Sequence, residues 1–288
     1  MIIWLPSYPK SGNTFLRALI SSYFLTEDGN YSESALTKIN QFPSVYLYRK
    51  YGFDTSCDEA FIKNAINVQI KMNTVSGKKL RFLKTHSCLK DINGYKFTDL
   101  KNTLGAIYIV RDPRIIIKSY ANHYQCSLEE SANKLTQLLK LTDDDKENFS
   151  KYKRRMLVTH VGTWSMHYQS WKFLKNFDKY LLLKYEDLVN NTEESFIRII
   201  DFISKLCGSK IDLDYVKLEK VIKSTSFRNM QKIEREKGFT ESLQAGTKGK
   251  KVTFFKYGIK NDLNGIPKHL KKKIENEFEN ELKELNYI

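Results

Sequence analysis

Three short stretches carry side chains suited to holding an anion and moving a proton. The first is "YPKSGNTF", residues 8–15. Lys10 lies in a turn-forming run of proline, serine, glycine and asparagine, directly ahead of a helical pattern. The free N–H groups of such a turn and the positive end of the helix after it make an anion site. A lysine there can neutralise a phosphate or a departing oxygen. The order is not that of an ATP-type loop, G-x-x-x-x-G-K-[ST], where the lysine follows the second glycine. Here Lys10 precedes Gly12, and no earlier glycine exists.

The second stretch is "KTH": Lys84, Thr85 and His86. In extended chain Lys84 and His86 point the same way. A histidine titrating near neutrality suits general-base work on an alcohol or phenol. The third is "VRDPRIIIKSY", with Arg111 and, eight residues on, Ser119. An arginine fork plus a serine hydroxyl makes a phosphate clamp. Each has a plainer alternative. Lys10 can be an exposed loop lysine, His86 a structural histidine, and Arg111 a surface partner of Asp112. Tyr185 in "LLLKYEDL" suits either stacking on a base or closing the core. "STSFRNM" (224–230) and "FFKYGIKNDLNG" (254–265) add aromatic and cationic groups.

The elements around these stretches alternate. "IIWL" reads as a buried strand, followed by the turn and then "TFLRALISSYFL" at helical spacing. "LRFLKTH" reads as a short strand running into a loop. "LGAIYIVRDPR" is a buried strand with charged turn residues at its end, continued by a helix with Pro113 in its first turn. Residues 27–80 show less regularity, and 127–176 read as amphipathic helix. "DKYLLLKYEDL" is another strand, and "NNTEESFIRIIDFI" a helix opened by a capping-type sequence. The stretch 237–251 is rich in Gly, Ser, Thr and Lys and reads as a mobile loop. "GIPKHLKKKIENEFENELKEL" reads as one amphipathic helix. Strands alternating with helices predict an α/β fold, a parallel sheet between helical layers. Ligands then bind beyond the carboxyl ends of the strands. Lys10, Lys84 with His86, and Arg111 all fall at such ends and should converge on one crevice.

Composition narrows the class. The 288 residues suit one large domain or two small ones, and 41% hydrophobic with 13% aromatic residues predicts a soluble globule. No apolar run is long enough to span a bilayer, and no basic-then-apolar leader precedes the first strand. With a strand starting at residue 2, no N-terminal anchor is expected. Cys57, Cys88, Cys126 and Cys207 are scattered without metal-ligand spacing and read as reduced thiols of a cytoplasmic protein, with no metal expected. The net charge of +15 favours anionic partners without choosing among them.

These pieces, in this order, resemble the sulfotransferase family that uses 3′-phosphoadenosine 5′-phosphosulfate (PAPS), above all its soluble branch. "YPKSGNTF" resembles the family's 5′-phosphosulfate loop, Y-P-K-[SA]-G-[TS]-T-W. "VRDPRIIIKSY" resembles its 3′-phosphate motif, and "KTH" the segment that bears its catalytic base. "KYED", "TSFRNM" and "FFKYGIKNDL" resemble later family segments, and the likeness runs from residue 4 to about 265. The resemblance implies a single sulfotransferase domain over residues 1–288, with a three-layer fold like that of P-loop kinases and no metal. It implies in-line displacement at sulfur, with His86 as base. Lys10 would face the bridging oxygen, Lys84 the sulfuryl oxygens, and Ser119 the 3′-phosphate and Lys10. Donor contacts would come from Lys10, Ser11, Gly12, Asn13, Thr14, Phe15, Arg111, Ser119, Tyr185, Thr225, Phe227, Met230, Phe255, Lys256, Tyr257 and Gly258. Asn13 replaces a small hydroxyl residue, and its amide can still hydrogen-bond a phosphate. Phe15 replaces the tryptophan that stacks on adenine. Lys256 and Tyr257 stand for an Arg-Lys pair, and Leu263 for a tryptophan.

The acceptor is a small molecule, glycan or lipid that the sequence does not identify, in a pocket expected from residues 27–80, the chain after Tyr124 and the 237–251 stretch. The oligomeric state stays open. A P-loop small-molecule kinase is the alternative, disfavoured by the missing G-K-[ST]. A basic nucleic-acid binder is a weaker one, since the candidate groups converge at strand ends rather than along a stripe, and no nucleic-acid partner is expected.

Overall fold

The computed structural model describes residues 1–77, 79–141, 157–242, 244–245, 250–257 and 262–288. Its first strand, β1 (Ile2–Pro6), is buried along its whole length. The turn after it leads into α1 (Asn13–Phe24). Then come α2 (Glu33–Lys38), α3 (Val45–Lys50), α4 (Asp58–Val75), β2 (Arg81–Thr85), β3 (Thr103–Val110), α5 (Pro113–Tyr124) and α6 (Leu128–Thr136). A short antiparallel pair, β4 (Leu139–Leu141) and β5 (Thr159–Gly162), precedes α7 (Trp164–Lys172). After β6 (Tyr180–Lys184) the chain is helical: α8 (Tyr185–Asn190), α9 (Thr192–Cys207), α10 (Tyr215–Thr225), α11 (Phe227–Lys237), α12 (Lys268–Glu277) and α13 (Glu279–Glu284). Among the described residues no helix is long and apolar enough to cross a membrane.

The main sheet runs in the order β2-β1-β3-β6, with every neighbouring pair parallel. All four carboxyl ends therefore open on one edge. Side chains alternate across the sheet, as strand geometry requires. Ile2, Trp4, Ala106, Tyr108 and Val110 enter the core on one face, and Ile3, Leu5, Ile107 and Ile109 the core on the other. The first core is covered in part by α4, through Phe61, Ala65, Val68 and Met72. The second is covered by α1 through Leu16, Leu19, Ile20 and Tyr23, and by α9 through Phe196, Ile199, Ile200 and Ile203. These are helical spacings. Full burial of each such side chain contributes about 1.5–3 kcal/mol, which fixes the strand ends against both layers.

Four local expectations fail. Residues 27–80 hold three helices, one of them the 18-residue α4. Its apolar positions are sparse because its buried face includes Gln69 and Asn73, whose Nε2 and Nδ2 donate to Phe97 O at 2.7 Å and to Asn102 Oδ1 at 3.2 Å. The 127–176 stretch is not helix throughout, since β4 and β5 interrupt it. The C-terminal helix breaks at Phe278, whose backbone (φ −122, ψ 27) leaves helical geometry so that its ring packs on Trp164. The capping-type sequence before α9 makes no side-chain cap at Asn191.

Candidate anion-binding and transfer site

The turn after β1 is held in an unusual backbone path. Lys10 has φ 68 and Gly12 φ 98, both left-handed. Gly12 meets a second constraint, because a Cβ there would lie 2.2 Å from Cδ2 of Tyr185. Only glycine lets the tyrosine ring pack so close to the backbone. Asn13 fastens the turn: its Nδ2 donates to Leu5 O at 2.8 Å and its Oδ1 accepts from Arg17 Nε at 3.0 Å. That amide, expected to meet a phosphate, ties the loop to β1 and orients Arg17. The N–H groups of Asn13 and Thr14 open α1 at the turn's mouth, whereas Phe15 N–H already donates to Gly12 O at 3.0 Å. The Ser11 hydroxyl is buried and has no hydrogen-bond partner among the described residues.

His86 follows β2 and meets the β1 turn directly. Its Nδ1 lies 2.7 Å from Ser7 O and 3.3 Å from Ser7 Oγ. A carbonyl can only accept, so Nδ1 carries the proton and Nε2 keeps its lone pair. Burial, followed by the neighbouring Lys84 cation, holds the imidazole well below its ordinary pKa. The ring is therefore neutral at physiological pH and presents Nε2 as a base.

Two lysines and an unforeseen pair complete this side. Burial brings Lys10 down to about 7, partly opposed by the Glu241 carboxylate. Its Nζ lies 4.0 Å above the Phe254 ring. Lys84, within β2, is brought down to about 8 by burial, again against Glu241. Glu241 Oε2 accepts from the Thr14 hydroxyl at 2.6 Å, and Oε1 accepts from Arg17 and lies 3.7 Å from Lys84 Nζ. Burial alone would raise this carboxyl, but Lys84 and Arg17 overcome it and keep it ionised. Sequence reasoning missed Arg17 and Glu241. A charged residue on the apolar face of α1 was the available signal for Arg17, whereas nothing local marked Glu241.

Arg111 anchors the other side, beyond β3. It is only 6% exposed. Its Nη1 donates to Lys10 O and to Ser119 Oγ, each at 3.3 Å, and its guanidinium lies 4.1 Å above the Tyr185 ring. Arg111 Nε is buried without a partner among the described residues. Asp112 pairs with Arg114 at 2.8 Å, which leaves Arg111 to the turn. Tyr185 thus supports both Gly12 and Arg111 from below.

The later segments reach the site unevenly. The Thr225 hydroxyl donates to Val221 O within its own helix, and Met230 and Phe255 are buried in a small apolar cluster with Ala18. Phe227 packs edge-on against Phe255 at 6.1 Å, and Phe15 packs at the margin of the second core. Lys256 is exposed, with Nζ 5.2 Å from the Tyr257 ring. This segment is fastened to α5, where Asn122 Nδ2 donates to Thr253 O at 3.1 Å and Lys118 Nζ to Asn264 O at 2.7 Å. Gly258 lies outside the described residues, as does much of the 237–251 stretch. Beside Ser87, a small cavity of about 40 Å³ is walled by Phe42, Tyr48, Phe61, Tyr95 and Phe97, with Lys96 and His160 among its polar groups. Its walls come from residues 42–65, 87–97 and 157–160.

Comparison with known proteins agrees with this geometry. A family model described as "Sulfotransferase domain" matches residues 2–286. Rat sulfotransferase 2A2 is 28% identical over 125 residues, 42% of this chain and 37% of that protein. Mouse sulfotransferase 1B1 is 25% identical over 231 residues, 80% of this chain and 65% of the relative. The matches thus span less than two thirds of these relatives' lengths. Mouse sulfotransferase SULT7A1 complexed with PAP superposes with TM-score 0.54 at 18% identity, covering 97% of this chain and 83% of that one. Retinol dehydratase in complex with androsterone and inactive cofactor PAP gives TM-score 0.51 at 17% identity, covering 98% and 80%. At such identities these two likenesses are of fold: a parallel sheet between helices, with its strand ends at one edge. The match along nearly the whole chain is to one family model, and the chain belongs to the sulfotransferase family.

Proposed function

We propose that this protein transfers a sulfuryl group from PAPS to a hydroxyl, or an amine, of a small apolar acceptor. One observation carries the reading. Lys10, His86 and Arg111 leave the ends of three adjacent parallel strands and meet around one turn, through the Ser7–His86 and Arg111–Lys10 contacts. The residues fit a doubly phosphorylated nucleotide. Ser11 Oγ and Arg111 Nε are buried donors without partners among the described residues, and Gly12 keeps the turn open to close approach.

Ser11, Thr14 and the first-turn N–H groups of α1 would hold the 5′-phosphate. Arg111 and Ser119 would hold the 3′-phosphate. The donor supplies an activated sulfuryl group on a phosphate leaving group. Lys10 balances charge growing on the departing oxygen, and Lys84 faces the sulfuryl oxygens. His86, fixed by Ser7 O, takes the acceptor's proton at Nε2. Phe15 and Phe227 offer rings to adenine. The aromatic walls of the small cavity beside Ser87 favour a flat apolar alcohol. Structural neighbours in complex with retinol and with androsterone support that class.

The test has two parts. Calorimetry should show saturable binding of adenosine 3′,5′-bisphosphate. Incubation with sulfur-labelled donor and a panel of phenols, sterols, retinoids and amines should then label one class. Absence of bisphosphate binding by folded protein would sink the reading.

A further inference from the structure

The presumed 5′-anion subsite already contains an anion, and it belongs to the protein. The Glu241 carboxylate accepts from Thr14, in the first turn of α1, at 2.6 Å. It also accepts from Arg17 and lies 3.7 Å from Lys84 Nζ. Lys10 adds to the positive surround. Apart from Arg17, every one of these groups is one that the proposed function assigns to the donor's phosphosulfate end.

Arg17 and Glu241 differ in how they are held. Arg17 is 3% exposed in a helix buried nearly all round, on the side that carries Asn13. Its Nε is fixed by Asn13 Oδ1 at 3.0 Å, so the fork cannot swing to water. A buried guanidinium without an anion is strongly unfavourable, so an anion must stand opposite it in every populated state. Glu241 keeps a 26% exposed side chain on the chain beyond α11. Its segment is held by Thr240 N–H to Glu33 Oε1 at 3.1 Å, by Ser242 Oγ to Glu234 Oε1 at 3.0 Å and by the buried Phe239 ring. Of the pair, the carboxylate is the member that reaches solvent, at 26% exposure against 4% for the guanidinium side chain.

We infer that Glu241 is an internal occupant of the donor's 5′-anion subsite, displaced when donor binds, and that Arg17 is a further donor-site cation that exchanges this carboxylate for the incoming anion. This rests on the donor reading above. Two consequences follow. The site never exposes four unneutralised cationic and hydroxyl groups to one another. Apparent donor affinity is lowered by the fraction of protein with Glu241 in place, as for any equilibrium that binding must first reverse.

The experiment measures adenosine 3′,5′-bisphosphate binding by calorimetry and thermal melting without nucleotide, for wild type, Glu241→Gln, Glu241→Asp and Arg17→Lys. Glu241→Gln should melt lower, having lost the partner of Arg17, yet bind the bisphosphate about tenfold more tightly, because a hydrogen bond to a charged group no longer has to be broken. Glu241→Asp, which keeps the charge, should stay near wild type in both. Arg17→Lys, lacking the fork, should bind more weakly than wild type. A carboxylate with a purely structural role would lower melting and affinity together. Glu241→Gln binding no tighter than wild type overturns the inference. If wild type and all variants melt cooperatively but none binds the bisphosphate, the donor reading itself fails and Glu241 has nothing to compete with.

Discussion

The turn after β1 and the turn after β3 both present cations to the same crevice, but in opposite ways. Lys10 sits where burial lowers its pKa to about 7, with a single flexible amine over an aromatic ring. Arg111 is just as enclosed, yet its fork is fixed by Lys10 O, Ser119 Oγ and the Tyr185 ring. Arginine stays protonated at any working pH, whereas a desolvated lysine does not. The difference separates two tasks. A fixed, permanent charge suits recognition of a group that does not react. A charge poised near neutrality, beside a neutral histidine, suits an oxygen whose charge changes during the reaction. The comparison predicts that damage near Lys10 and His86 acts on rate or proton balance, and damage near Arg111 on selectivity.

The largest effect should come from His86. His86→Ala removes the proposed base and should lower turnover by about 10²–10⁴-fold. Bisphosphate affinity should stay close to wild type, because the imidazole meets the chain through Ser7 rather than through the anion site. An active variant would pass the role to another group. His123 is then the next candidate, since it packs edge-on to Phe254 at 5.7 Å on the Lys10 side of the site. Burial brings that imidazole down to about 3, so it too is neutral.

Next is Arg111→Ala. The wild type should prefer adenosine 3′,5′-bisphosphate to adenosine 5′-phosphate, and the variant should lose about 10–10²-fold of that preference, the equivalent of one charged hydrogen bond. Turnover at saturating donor should change far less. Equal binding of the two nucleotides by wild type would remove the division of labour between the two turns.

Gly12→Ala tests the support that the two turns share. A methyl group at φ 98 would lie 2.2 Å from Tyr185 Cδ2, so the ring on which Arg111 rests must move. The strain is worth roughly 1–3 kcal/mol. A melting point lower by about 2–10 °C is expected, with weaker bisphosphate binding. An unchanged melting point would mean that Tyr185 does not brace the loop.

The strand ends were legible because they combine two strong local signals. Buried strands such as "IIWL" and "AIYIV" have nowhere to go but a covered sheet, and turn residues after them mark where side chains emerge. Parallel topology then brings Lys10, His86 and Arg111 together without further information. The helix α4 was not legible, because its inner face buries amides that find partners some 30 residues away, and sequence spacing does not show those partners. Glu241 was invisible for the same reason, since it meets Thr14 across 227 positions. Asn13 illustrates a subtler limit. Its residue type suggested a phosphate contact, and its ties to the carbonyl of Leu5 and the Arg17 side chain were not visible in it.

The smallest effect, and the one most particular to the comparison, is on the pH dependence of donor binding. In the ligand-free protein Lys10 titrates at about 7 and Lys84 at about 8, each lowered first by burial. An anionic phosphate carrying two charges, in place of the single charge of the displaced Glu241, favours the charged ammonium and raises both values in the complex. Binding therefore takes up protons above pH 7, and by linkage affinity must fall as pH rises. The slope should approach about tenfold per pH unit for each lysine that is neutral in the free protein but charged in the complex. The window from pH 7 to 9 isolates this effect, because a phosphate monoester with its second pKa near ~6 is already fully ionised there. His86 stays neutral throughout, so it contributes nothing to the slope. Lys10→Arg should flatten the lower part of the profile by keeping the charge fixed. The measurement is calorimetric affinity for adenosine 3′,5′-bisphosphate at pH 7, 8 and 9 in two buffers of different ionisation enthalpy, which counts the protons taken up. A flat wild-type profile with no proton uptake would place Lys10 away from the bound phosphate and would leave the two turns chemically alike.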